Sequence, residues 1–492
     1  MEEDHGTFQQ LTYLTSEFAT SEQSEENYSS FCHGDTPKAS ASPSPTECSD
    51  VDTSSEVSSS EPVFAFCPLD HELTREVGAS VYDAHEFDSM PAFVAHRVAS
   101  GLEPGSFLVT NLAAVVSQYH QWVRELPMVE PFYAVKCNPD PAIVRMLASL
   151  GCNFDCATMG EIDLVLHGLG EDLSFRGHQG KAARSIVYAN PAKMEHMLQF
   201  AMNHGVRMTV FDGEDELLKI ARLGGHEKLD LLLRLTTDDK ASICRFSKKF
   251  GCPVGEAPRL LDLAKSLGLH VAGVSFHVGS GCGDVAAYTT ALNDARTVFD
   301  CAVSIGMRPM TVVDIGGGFP GDDGGYGGAG MPTFLDIAAA VREGIARFSR
   351  EGECVRFIAE PGRYFVSAST AIVTKVYSRK GGNADYQALY VDDGVYGSFN
   401  NVVYDHALPK PRKLTAYLNE LRFGNIEDEI PSAVFGPTCD GLDQMCSMET
   451  TKLPRCDIGD WLIWENQGAY THTASFVFNG YTHFPNKVHC YM

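Results

Sequence analysis

Between residues 131 and 362 the chain repeats one pattern eight times, and that pattern constrains the fold more than anything else in the sequence. Short apolar runs recur as PFYAVK (131–136), CNFDCA (152–157), SIVYAN (185–190), RMTVFD (207–212), DLLLRL (230–235), VAGVSFHV (271–278), MTVVDIGG (310–317) and VRFIAEPG (355–362). Amphipathic stretches of helical period lie between them, among them AIVRMLASL (142–150), KMEHMLQFAMNH (193–204), DELLKIARL (215–223) and PRLLDLAKSL (258–267). Nearly continuous apolar strands alternating with helices imply a parallel sheet covered on both faces. Eight such units in roughly 240 residues suit a closed (β/α)8 barrel of the TIM type. An open doubly wound sheet is the alternative, but no GxGxxG follows an early strand.

Beyond about residue 370 the helical period largely stops. AIVTKVY (371–377), YQALYVDD (386–393), SAVFGPT (432–438), DWLIWEN (460–466) and ASFVFNG (474–480) are strand-like and separated by turn residues, which predicts a C-terminal antiparallel β domain over 370–492. Residues 62–110 are expected to add strands to that domain, leaving 111–369 for the barrel. Residues 1–61 differ in kind. They hold thirteen acidic residues and a single basic one, Lys38, so −12 of the chain's net −26 resides there. Such a Ser/Thr-rich segment buries too little apolar surface to offset its chain entropy and is expected to be disordered. Ser42-Pro43 and Ser44-Pro45 are candidate phosphorylation sites in a regulatory or degradation-linked tail; a solvated tail without a dedicated role is the alternative. A polar insert, GEDLSFRGHQGKAARS (170–185), is expected to form a surface loop before the third strand.

The charge of −26 argues against nucleic acid or an anionic membrane as the main partner. No apolar run is long enough to span a bilayer. The fifteen cysteines include no CxxC pair, which suits reduced thiols in the cytoplasm better than a disulfide framework. The acidic start Met1-Glu2-Glu3-Asp4 does not resemble a secretory signal. No metal site is expected.

Catalytic residues of such barrels come from the C-terminal ends of the strands. The first apolar run ends in Lys136 and the second carries Asp155. A lysine there suits Schiff-base chemistry, since desolvation lowers its pKa, although it could equally snorkel to the rim or pair with a carboxylate. Gly316-Gly317-Gly318 after the seventh run allows backbone N–H groups to approach a phosphate, or makes a tight strand-to-helix turn. Ser280 between Gly279 and Gly281 after the sixth run, and Arg363 after the eighth, add a hydroxyl and a fork-shaped cation. Together these form a phosphate corner, and lysine plus phosphate points to pyridoxal 5'-phosphate. Glu360 is placed to face that cofactor's ring nitrogen, unless it is tied to Arg363. His277 could lie on the ring or be a satisfied core residue.

The stretches PFYAVKCNPD (131–140), FDCAT (154–158), YANPAK (188–193), SFHVGSGC (275–282), DIGGGFPG (314–321), AEPGRY (359–364), DDGVYGSFN (392–400), YDHA (404–407), GPTCDG (436–441) and ENQGAYT (465–471) resemble the eukaryotic ornithine decarboxylase family. That resemblance implies an alanine-racemase-type barrel joined to a β domain, working as a homodimer with active sites at the interface. It implies decarboxylation of L-ornithine to putrescine, the entry to polyamine synthesis. Lys136 would carry the cofactor, with Asp155 beside it and Arg245 in the site. His277 would stack on the pyridine ring and Glu360 face its nitrogen. Ser280, Gly316, Gly317, Gly318, Arg363 and Tyr470 would hold the phosphate. Asp405 and Asp440 would grip the substrate's distal ammonium, Asp440 coming from the partner, and Cys439 would return a proton after carbon dioxide leaves. Phe478 matches a pocket position at which Phe favours ornithine, although one methylene separates ornithine from lysine and discriminates by only about 1–3 kcal/mol.

Two other readings compete. The first is a related decarboxylase acting on lysine, arginine or diaminopimelate; the last of these would need a cation at the distal site, where the resemblance puts Asp440. Antizyme inhibitors share the fold but lack several catalytic residues, whereas Lys136, Asp155, Arg245, Arg363, Cys439 and Tyr470 are retained here. By the same resemblance, a surface for an antizyme-like regulator would fall near residues 184–207, where Arg184, Lys193 and Arg207 are basic.

Overall fold

A computed structural model describes residues 81–168, 182–321, 330–381, 385–481 and 485–492. The acidic segment 1–61 and residues 170–181 of the insert lie outside them. In chain order the described strands are β1 (Val81–Asp83), β2 (Phe107–Asn111), β3 (Val129–Ala134), β4 (Asn153–Cys156), β5 (Ile186–Tyr188), β6 (Met208–Phe211), β7 (Asp230–Arg234), β8 (Ser242–Cys244), β9 (Val271–Ser275), β10 (Ser280–Cys282), β11 (Val312–Asp314) and β12 (Arg356–Ala359). They continue with β13 (Thr370–Lys380), β14 (Gln387–Val391), β15 (Pro411–Lys413), β16 (Glu429–Phe435), β17 (Gln444–Cys446), β18 (Lys452–Pro454), β19 (Trp461–Trp464) and β20 (Asn486–Tyr491).

The eight apolar runs close a parallel barrel in the order β11-β12-β3-β4-β5-β6-β7-β9. Alternation along each strand explains why the runs are apolar throughout. Phe132, Val187, Val210, Leu232, Ala272, Val312 and Ile358 point inward and fill the barrel. Their neighbours, such as Tyr133, Leu231 and Leu233, point outward into a second core shared with the helices. Trp122, on the helix Leu112–Glu125, anchors that outer layer against Phe319, Phe334 and Tyr364, and its ring N–H donates to the Val129 carbonyl at 2.9 Å.

The second sheet has ten strands, ordered β1-β20-β2-β13-β14-β16-β17 with β15, β18 and β19 attached off that path. Strands β1 and β2 join it through β20 and β13, and the strand pairings are mixed. One of the strands expected in this half does not form. Residues 474–480 follow a short 3-10 turn, His472–Ala474, and run as irregular chain in which Phe476 and Val477 are exposed and Asn479 has φ 51°. The neighbouring β19 already has β13 on one side and β15 on the other, so this stretch has no edge there to pair with. Among the described residues no helix is long and apolar enough to cross a membrane. Among them, too, no cluster of His, Cys, Asp or Glu could hold a metal ion, and the described cysteines are free thiols.

Candidate active site

Strand β3 ends at Ala134, and the chain enters a single 3-10 turn, Val135–Cys137, that carries Lys136 away from the apolar wall. The β3–β4 register sets Ala134 opposite Asp155. Lys136 Nζ therefore contacts Asp155 Oδ2, with the carboxylate fully buried and 40 % of the lysine side chain exposed. The expected depression of the lysine's pKa is not found. Burial alone would lower it, but Asp155, Glu360 and Tyr470 together outweigh burial and hold the ammonium above its ordinary range.

Glu360 follows β12, and its N–H donates to the Gly316 carbonyl at 2.7 Å. Gly316 N–H donates to Asp314 Oδ1 at 2.9 Å, so the turn after β11 is fixed from both sides. Burial pushes Asp314 up to about 6. Burial, together with the charges of Asp314 and Asp155, pushes Glu360 well above the usual carboxylate range. Arg234, at the end of β7 and itself buried, opposes this for both acids. His277 is held neutral by burial and by the nearby positive charges of Arg234 and Lys136. Its Nδ1 accepts from Gly279 N–H at 3.0 Å, and its ring meets Phe246 edge-on at 4.9 Å.

Arg363 lies beside these groups. Its Nη2 donates to Asp405 Oδ2 at 2.5 Å and to Ser280 Oγ at 3.3 Å, and its guanidinium stands 5.2 Å from the Tyr470 ring centre. Asp405, assigned from the resemblance to the substrate's far end, thus shares the cation assigned to the phosphate. Glu360 has the two carboxylates Asp314 and Asp155 as electrostatic neighbours, while Asp405 is the carboxylate bound to Arg363. Tyr470 N–H donates to the Cys137 carbonyl at 3.0 Å, which ties this group to the Lys136 turn.

The residues present fit pyridoxal phosphate on two counts. A Cβ on Gly317 would lie 2.8 Å from both the Glu360 carbonyl oxygen and His277 Nε2, and one on Gly316 would lie 2.2 Å from the Phe276 carbonyl oxygen. The glycines therefore both make the tight turn and keep the cradle clear. Glu360 Oε1 and Asp155 Oδ1 are buried with no hydrogen-bond partner, and an incoming polar group would relieve them.

Other sequence-assigned residues are placed differently. Arg245 is exposed and donates to the Lys240 carbonyl at 2.7 Å, next to Cys244, which pairs with Ser280 across β8 and β10. Cys439 is exposed, its N–H bonded to Asn479 Oδ1 at 3.0 Å. Asp440 contacts the Tyr396 hydroxyl, which holds its carboxylate below the ordinary range. Tyr396 in turn stacks on Phe478 at 4.3 Å. These residues stand beside a cavity of about 350 Å³ lined by Tyr377, Asp393, Tyr396, Asp443, Phe476 and Phe478. Among the described contacts, none of those given for Cys439, Asp440 or Phe478 reaches the Lys136 group. Lys193 is not on the basic surface expected near 184–207. It is buried, and its ammonium bonds to the Asn190 and Val210 carbonyls and to Glu216 at 2.7–2.9 Å, partners that satisfy it away from the surface.

Sequence reasoning gave no role to Asp314, Arg234 or Tyr396. Asp314 and Arg234 carry a readable signal, since each is a charged residue closing an apolar barrel strand; Tyr396 carries none beyond its place in DDGVYGSFN.

A lysine on a buried carboxylate, a second buried acid and a glycine turn thus stand together at the strand ends of the barrel. The family described as pyridoxal-dependent decarboxylase, pyridoxal binding domain, matches residues 112–367, and this chain belongs to that family, with pyridoxal phosphate as its cofactor. The chain is 40 % identical to antizyme inhibitor 2 of Xenopus laevis over 80 % of its own length and 82 % of that protein. It is likewise 40 % identical to ornithine decarboxylase of Mus musculus, over 78 % of this chain and 81 % of the mouse protein. Among solved structures, the arginine decarboxylase of Paramecium bursaria Chlorella virus superimposes with a TM-score of 0.71 at 31 % identity, covering 82 % of this chain and all of that one.

Proposed function

We propose that this chain decarboxylates L-ornithine to putrescine and carbon dioxide, the entry step of polyamine synthesis. The constellation around Lys136 carries the reading: an amine on a buried carboxylate, beside a second buried acid and a phosphate corner, in a chain 40 % identical to a named ornithine decarboxylase.

Pyridoxal phosphate, when bound, supplies an electron sink for the pair left on the substrate's α-carbon as carbon dioxide departs. Ser280 Oγ, Arg363 and the backbone of Gly316–Gly318 would hold the phosphate, with the Tyr470 ring beside the Arg363 guanidinium. Asp155 is within reach to take the proton that Lys136 Nζ must lose before it acts as an amine. Glu360, buried beside Asp314 and Asp155, would hold a proton at the cofactor's ring nitrogen. His277, being neutral, would cover the ring without adding charge. Cys439 Sγ returns a proton to the α-carbon. Asp405 and Asp440 bind the far ammonium of a dibasic substrate, and Phe478 and Tyr396 bound the length of its side chain.

Two copies of the chain complete each site. Cys439 is exposed here, as are Leu442 close to it in sequence (72 %) and Tyr404 and Leu408 on either side of Asp405 (62 % and 79 %), which supports an association surface. The test is release of labelled carboxyl carbon from ornithine, lysine and arginine, with and without pyridoxal phosphate. Cofactor-dependent release fastest from ornithine is expected. Release fastest from lysine or arginine would overturn the substrate assignment, and no release at all would overturn the enzyme. The likeness to a protein named antizyme inhibitor 2 supports a second reading, a member of this fold that acts by binding an antizyme-like regulator. It requires no turnover, so the same assay separates the two.

A further inference from the structure

The segment that carries Lys136 is held at its far end by the last strand of the other sheet. Asp140 caps the helix Pro141–Ser149, its Oδ1 accepting from Ala142 N–H at 2.9 Å. The same Oδ1 lies 3.1 Å from His489 Nε2, and Oδ2 lies 3.3 Å from Lys487 Nζ. Both side chains come from β20. Alternation along that strand sends Val488 and Cys490 into the core of the β sheet and turns Lys487 and His489 the other way, onto Asp140. The carboxylate and the imidazole are almost fully enclosed, with side-chain exposures of 5 % and 10 %.

The few residues between this cluster and Lys136 are themselves bonded end to end. Asp140 N–H donates to Asn138 Oδ1 at 3.2 Å, and Asn138 N–H donates to the Val135 carbonyl at 3.1 Å. Tyr133 hydroxyl donates to the Asn138 carbonyl at 2.8 Å. Asn138 Nδ2 donates to the Gly468 carbonyl at 2.9 Å, two residues before Tyr470. A displacement of Asp140 therefore passes to Lys136 and to the Tyr470 segment together, with little slack between them.

We propose that His489, assisted by Lys487, is a positioning residue for the cofactor lysine: it fixes Asp140 and through it the turn that aims Lys136. The carboxylate is suited to this task. Burial alone would favour its neutral form, but His489 and Lys487 outweigh burial and keep it ionised far below the usual carboxylate range. His472 also faces this carboxylate; burial and the charge of Lys487 hold it neutral, so it adds no competing charge. An ionised, enclosed carboxylate accepts stronger and more directional hydrogen bonds than a neutral one. The inference rests on Lys136 being the lysine that joins the cofactor.

The test uses the full-length, cofactor-loaded protein and two readouts. One is the rate at which bound cofactor absorbance is lost after dilution. The other is the fraction of cofactor fixed to the Lys136 peptide by borohydride. His489→Ala should speed cofactor loss about tenfold or more and lower the fixed fraction, because a buried carboxylate loses one of its partners and the lysine its aim. His489→Gln, whose amide can donate to the same oxygen, should stay within about twofold of the parent. Lys487→Met should speed loss about threefold, since its partner is already held by His489. Parent-like loss in both His489→Ala and Lys487→Met would overturn the proposal, as would equal damage by Ala and Gln at 489. If His489→Ala does not accumulate as folded protein, the Gln and Met variants decide it. A Lys136→Ala control separates the two levels: cofactor still fixed to that chain means that Lys136 was misassigned, whereas fixation lost there with all β20 variants parent-like means that only the positioning role fails.

Discussion

Asp393 offers a quantitative test of how the loop bearing Tyr396 is held. Its carboxylate is 5 % exposed, and Oδ1 accepts from the N–H groups of Gly394 and Ser398 at 2.8 and 2.9 Å while Oδ2 has no partner. Burial pushes this group from 3.8 up to about 6. The sign follows from proton binding. Below the unfolded value both states are protonated and the group is neutral toward stability. As pH rises through the interval up to about 6, the unfolded chain ionises first, and the folded state is penalised by an amount that is complete above that interval. A rise of this size corresponds to roughly 3 kcal/mol when complete, of which about half is already present at pH 5. Asp393→Asn carries no charge and keeps an oxygen for the two N–H groups. Its amide nitrogen replaces the unpartnered Oδ2 at a similar desolvation cost at every pH. The difference in unfolding free energy between Asn and Asp should therefore move toward the variant by about 1.5 kcal/mol between pH 5 and pH 8. Denaturant unfolding at the two pH values measures it. A difference that stays constant with pH would refute the buried-charge reasoning, whatever its absolute size.

Three further outcomes are expected. Gly317→Ala should weaken cofactor binding by at least about tenfold, because its Cβ would stand 2.8 Å from both the Glu360 carbonyl and His277 Nε2; equilibrium titration with pyridoxal phosphate would show it. Mixing inactive Lys136→Ala with inactive Cys439→Ala chains should restore about a quarter of the parent decarboxylase activity if each site draws on two copies, and none if each chain is self-sufficient. Trp122→Ala should lower unfolding stability by about 3–5 kcal/mol, since the ring is fully enclosed and packs against Phe319, Phe334 and Tyr364; thermal unfolding checks it.

The barrel was legible because each strand had to be apolar on both faces, and that requirement is written locally in runs such as DLLLRL and VAGVSFHV. That Lys136, Asp155 and Glu360 stand together at strand ends was legible too, because a charged ending on such a run has few structural uses. Residues 474–480 misled for the opposite reason: the stretch has a strand's composition, and whether it becomes one depends on a free sheet edge that no local pattern encodes. Lys193 misled because its burial is set largely by the Val210 carbonyl and by Glu216, both on other segments.

By itself the sequence determined the periodicities, and with them the order of strands and helices around the barrel. Only the tertiary structure decided which charges meet. It set Asp155 and Glu360 around Lys136 so that the lysine's pKa rises instead of falling, and placed Asp405 on the cation assigned to the phosphate. It also brought Lys487 and His489 across hundreds of residues onto Asp140. Secondary structure follows from interactions within a few residues, whereas the ionisation and aim of a buried group follow from all the charges within a few ångströms, and the fold alone brings those together.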